Sequence, residues 1–196
     1  MNVQKFRRLF PLIAVALLAN ALRSTQVAAQ RPTLVSINSY AKRVDQFVKC
    51  HPQRVFANLM SEKKSEPDRW REFKSAGELE SAEATLDESA YAWQKAGKVV
   101  AANFTLTSQS GDWVQYIIYY FREDGKLAKI HAQLNTFYGN LSVIREKFYD
   151  AGGRLLHRSS KYLDLHSQRP TKSRDFVDKP VPLYLRTRDL PFYKFL

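Results

Sequence analysis

Between residues 86 and 165 apolar and polar positions alternate in runs of strand length, and a glycine interrupts each run. Gly97, Gly111, Gly125, Gly139 and Gly153 recur at a constant interval of 14 residues. Glycine reaches positive φ without a Cβ clash and is the usual second residue of a two-residue hairpin loop. Side chains along a strand alternate with period two, so an even repeat returns the same face inward after every turn. The runs 99–108, 113–122, 127–136, 141–149 and 155–165 therefore read as strands. With one more run before Gly97 they form an antiparallel meander of six strands over 86–165.

One assumption about the turns sets the register. Each glycine is placed second in a two-residue loop: Ala96-Gly97, Ser110-Gly111, Asp124-Gly125, Tyr138-Gly139 and Gly152-Gly153. Phe121 then faces Val100 and Ala128, Tyr119 faces Ala102 and Ile130, and Ile117 faces Phe104 and Ala132. Leu106, Leu134 and Val143 fall on the same apolar face, joined by Tyr91 and Trp93 of the first strand. Cross-strand pairs of this kind contribute roughly 0.2–1 kcal/mol each. Residues 80–96 also carry Ala and Glu at a density that suits a helix capped by Gly97, so a helix there competes with the first strand.

Upstream, Ile37, Tyr40, Val44, Phe47 and Val48 recur at helical spacing through 36–50, and Pro52 ends the pattern. Val55, Phe56, Leu59 and Met60 cluster like one side of a second short helix over 53–60. Trp70 and Phe73 stand one helical turn apart, while 61–68 reads as a polar loop and 76–86 as an acidic connector. Beyond 165, Pro170, Pro180, Pro182 and Pro191 exclude a long helix or a central strand. That tail also holds Leu183, Tyr184, Leu185, Phe192, Tyr193 and Phe195, too aromatic a set to stay in water, and is expected to lie along the sheet as an edge or a cover. The fold class is α+β: N-terminal helices packed on a curved six-stranded antiparallel β-meander in one domain over 30–165, with a Pro-rich tail, 166–196, packed on the sheet.

Composition then adds a compartment. Residues 1–29 have the layout of an export signal, with Lys5, Arg7 and Arg8, an apolar run over 9–22, and small residues at Val27-Ala28-Ala29. Cleavage near Ala29 leaves a periplasmic or extracellular chain without a transmembrane segment, because that apolar run falls short of the roughly 20 residues a spanning helix needs. The leader holds four basic residues and no acid, so the formal charge of +12 falls to +8, from 27 basic and 19 acidic residues. A single cysteine, Cys50, rules out an internal disulfide and reads as a small buried residue on a helix.

Candidate chemistry follows from the register. His131 falls across from Glu146, and Glu146 across from Ser159. A catalytic triad needs the histidine between nucleophile and acid, so this order reads as a polar ladder rather than a hydrolase. The four histidines lack zinc-binding spacing and no glycine-rich phosphate loop is present, so no metal or cofactor is expected. Tyr116, Tyr120 and Phe148 interleave with Arg122, Lys129 and His131 on the second face of the sheet, which makes that face the candidate binding surface. Such interleaving suits a nucleic-acid platform, but export and the lack of an RRM or KH signature oppose that partner. Two functions remain. One is a non-catalytic exported protein that holds an anionic envelope component or a protein partner, and the other a carrier of a small apolar ligand inside the curved sheet.

Overall fold

The computed structural model describes residues 33–59, 69–81 and 86–196. The segment read as an export signal and the stretch 61–68 expected to be a loop lie outside them. Thr33 caps the first helix, α1 (Leu34–Cys50), by accepting the Ser36 amide, and one stripe of α1 buries Ile37, Ala41 and Val44. Strands β1 (Arg54–Leu59) and β2 (Arg69–Phe73) and the short helix α2 (Ala76–Ser81) come next. Six strands complete the sheet: β3 (Leu86–Lys95), β4 (Lys98–Thr107), β5 (Trp113–Phe121), β6 (Leu127–Thr136), β7 (Leu141–Tyr149) and β8 (Leu155–Asp164). All eight form one antiparallel sheet in the order β2-β1-β3-β4-β5-β6-β7-β8.

The six-stranded meander is present, with two further strands where helical segments were expected. Arg54–Leu59, within the expected second helix, is β1, and Arg69–Phe73 is β2. Val55 and Ala57 point to one face, Phe56 to the other, and all three are buried. A strand covered on both sides loses its period-two pattern and is then indistinguishable from a buried helix by spacing. The acidic connector holds α2, whose Leu79 packs on Val55, Ala57 and Phe73.

The five repeat glycines all sit at positive φ. Only Ala96-Gly97 is a two-residue loop, with φ of 49° and 73°. At the others a tight turn ends on the glycine or its neighbour: Gly111, Gly125 and Gly153 donate three residues back, to Ser108, Arg122 and Asp150, and Asn140 donates to Phe137. The extra residue is absorbed as a bulge between Tyr120 and Phe121, so Phe121 faces Leu127 instead of Ala128. Past the bulge the expected pairs hold: Tyr119 with Ala102 and Ile130, Ile117 with Phe104 and Ala132.

Strand β3 differs. A bulge between Trp93 and Gln94 slips its register by one residue, so Ala92 faces Ala102 and Ala90 faces Phe104. Tyr91 and Trp93 consequently turn to the opposite face, where they join the α1 cluster. The slip puts two alanines under the most crowded aromatics of the core and gives the tryptophan room beneath the helix.

Each face of the sheet has its own cover. Helix α1 packs Ala41 and Val44 on Trp93, Val100, Ala101 and Tyr120, and Ile37 on Ala128 and Phe148. The tail covers the other face with Leu190 and Phe192, the latter fully buried and stacked 4.3 Å from Phe56. Tyr119 donates to the Pro182 carbonyl at 2.8 Å. The tail also pairs its backbone along the β5–β6 turn, Leu127 N–H to Leu185 O and Thr187 N–H to Gly125 O.

Candidate functional site

The residues singled out on the second face are brought together by the fold, and α1 covers most of them. Tyr120 is buried and donates to Asp45 of α1 at 2.8 Å. Burial, then that bond, pushes its pKa above the ordinary tyrosine value. Lys129 is 8% exposed, reaching Asn38 of α1 at 2.8 Å and Glu146 at 2.7 Å, with its ammonium 5.0 Å from the Phe148 ring centre. His131 Nδ1 lies 3.6 Å from the same carboxylate oxygen of Glu146. Arg122 donates to three backbone carbonyls, at Leu127, Tyr149 and Asp150, which ties the β5–β6 turn to the end of β7. Tyr116 remains exposed on the same face.

The row His131–Glu146–Ser159 has the expected register. Its carboxylate serves Lys129 first, and Ser159 has no hydrogen-bond partner there. Among the described residues no group of three or more His, Cys, Asp or Glu could hold a metal ion. Cys50, expected to be buried, is exposed at the last residue of α1, because the apolar stripe has ended by Val48 and the chain is leaving the sheet.

An open site lies beside α1. Where the helix overhangs the β3–β4 turn, a cleft of about 530 Å³ is framed by Tyr40, Arg43, Val44 and Phe47 of α1, and by Lys95, Ala96, Lys98, Val100, Arg122 and Glu123. Its floor is apolar, with Val44 and Val100 buried, and its rim carries Arg43, Lys95 and Lys98, all exposed. The Lys95 ammonium lies 6.0 Å from the Phe47 ring centre and the Arg43 guanidinium 5.8 Å from that of Tyr40. Neither these cations nor Lys98 has an acidic partner among the described residues, and Glu123 is the one carboxylate at the cleft.

The Tyr40 hydroxyl donates to the Phe121 carbonyl, and burial, reinforced by Glu123, raises its pKa, so it is a neutral wall at physiological pH. Burial lowers the Arg122 pKa, yet a guanidinium stays charged in proteins. The cleft therefore presents a greasy floor under a positive rim. The sequence places Lys95 and Lys98 on either side of a turn, which is a visible signal, but their meeting with Arg43 depends on where α1 crosses the sheet. No family model matches this chain, and no curated protein or solved structure matches it either.

Proposed function

We propose that this protein is a non-catalytic binder of an amphipathic anion, a small molecule or lipid with an apolar body and one acidic headgroup, held in the cleft between α1 and the β3–β4 turn. The observation that carries this reading is the combination at one cleft of a buried apolar floor, Val44 and Val100, with exposed cations that lack carboxylate partners. Apolar walls with a few convergent polar groups are the ordinary make-up of a small-molecule site. Cations unneutralised by the protein draw an anion to it, and α1 supplies the aromatic flank. With residues 1–29 read as an export signal, the ligand is met in the periplasm or outside the cell. An apolar ligand inside the curved sheet is disfavoured because Leu190 and Phe192 of the tail fill that side.

Titration with decanoate, decanol and decylamine tests the reading, since the three share a chain and differ in head charge. Decanoate is expected to bind best and to weaken from about 0.01 M to about 1 M salt, as the screening length drops from about 30 Å to about 3 Å. Replacing Lys95 and Lys98 together by Ala is expected to weaken decanoate binding roughly tenfold or more, as charge-assisted contacts are worth about 1.5–3 kcal/mol each. Equal affinity for decylamine, or indifference to the double substitution, would remove the proposal.

A further inference from the structure

The last strand leaves an open edge that the rest of the molecule does not use. Beyond β8 the chain returns only as far as Leu163, which bridges Pro170, with Thr171 N–H donating to Tyr162 O and Asp164 N–H to Arg169 O. Alternate residues of an antiparallel strand direct their N–H and C=O to the same side. Since Tyr162 and Asp164 address the outer side, Arg158 and Ser160 do too. Their outward N–H and C=O groups meet no protein partner among the described residues.

Beside the open edge, Arg158 of β8 and Lys147 of β7 bring two cations together on one face. Lys147 lies directly across from Arg158, a like-charge pair that costs free energy unless an anion stands nearby. Neither has a carboxylate partner among the described residues, whereas Arg145, next on that face, is engaged by Asp178 at 2.7 Å. A groove of about 590 Å³ runs on this side between the strands and the tail, lined by the cations Arg145, Lys147, Arg158 and Lys179 and by two carboxylates, Glu146 and Asp178, which pair with Lys129 and Arg145. An added strand would set its residues opposite Arg158 and Ser160 on this same face.

We propose that the outer edge of β8 takes up an acidic, extended segment of a partner polypeptide as a ninth strand, with its carboxylates placed against Lys147 and Arg158. A second copy of this chain suits the edge less well, because β8 itself carries Arg158 and Lys161 and brings no carboxylate before Asp164 at its end. A nucleic-acid backbone does not suit it either, since it offers acceptors alone where the edge alternates donors and acceptors. Strand addition supplies main-chain bonds for affinity and side-chain pockets for choice of partner.

The test is fluorescence anisotropy of the purified protein with a labelled, end-blocked octapeptide of alternating Glu and Thr. Comparison peptides replace Glu by Lys, or replace two central Thr by Pro so that charge is kept and strand pairing is blocked. Binding of the Glu-Thr peptide, lost at least tenfold with the Pro and Lys peptides and with Arg158→Glu, is the expected result. Ser160→Pro removes one outward N–H at an edge position and is expected to weaken binding likewise while the circular dichroism spectrum is retained. Should that variant unfold, the Pro peptide on the unaltered protein still decides. Equal binding of the Pro peptide would mean a simple anion site, and concentration-dependent dimerisation that excludes the peptide would mean the edge serves a second copy. Either result, or no binding of the Glu-Thr peptide, overturns the proposal.

Discussion

Lys129 shows how one side chain ties helix to sheet. Its side chain is nearly buried, and its ammonium meets Asn38, Glu146 and the Phe148 ring. Burial works against the Glu146 carboxylate, but the hydrogen bond and charge of Lys129, with His131 behind them, outweigh it and hold the Glu146 pKa below its ordinary 4.5. A carboxylate with a depressed folded pKa adds stability above its unfolded value, and that contribution is lost as pH falls through the folded value. Urea unfolding between pH 7 and pH 3 is expected to show a steeper acid loss for the native protein than for Glu146→Gln. Matching acid limbs would show that the pair is not coupled to folding. At neutral pH, Glu146→Gln is expected to cost about 1–3 kcal/mol, because nearly buried Lys129 is left without its carboxylate.

Among the elements, the tail from Val181 to the C-terminus behaves as part of the core. Phe192 has no exposed surface and contacts Phe56, Trp70 and Phe104 with ring centres 4.3–5.5 Å apart. Phe192→Ala is expected to lower stability by about 3–5 kcal/mol in urea titration, the range for emptying a buried aromatic site. A loss under about 1 kcal/mol would mean that the tail is a loose cover. The proline spacing of this segment made its lack of helix legible, and its aromatic content made burial legible. Which side it would cover was not. That depended on α1 taking the other face, and both faces are apolar enough to accept either element.

Strands β1 and β2 teach the complementary lesson. In β1, Val55 and Ala57 pack toward α2 and Phe56 toward the tail, so neither period two nor period 3.6 stands out, and in β2 Trp70 and Phe73 fall on opposite faces at a spacing that mimics one helical turn. In β3, where a helix competed with the strand, the strand formed but its faces came out reversed, since a bulge one residue long is enough to exchange them.

For the molecule as a whole, charge is the main term left unbalanced. Five ion pairs with described geometry join Arg54–Glu72, Lys126–Asp124, Lys129–Glu146, Arg145–Asp178 and Arg154–Asp150, all but Lys129–Glu146 near the surface. Exposed pairs contribute only about 0–1 kcal/mol each, while the surplus cations repel one another. The urea midpoint is therefore expected to rise when sodium chloride goes from about 0.01 M to about 0.15 M, as screening relieves that repulsion. A falling midpoint would show that ion pairs govern the balance instead. Among the described residues no helix is long and apolar enough to cross a membrane.

Local chemistry in the sequence determined the meander and most of its pairing. Glycine at the turns and alternation between them act within a few residues, and no distant contact is needed to express them. The tertiary structure decided what each face of the sheet meets. It turned the aromatic and basic residues of β5 to β7 into the seat of α1, and it assembled Arg43, Lys95 and Lys98 around one cleft. Arg43 lies far along the chain from Lys95 and Lys98, and only the crossing of helix over sheet brings it to the turn that they flank.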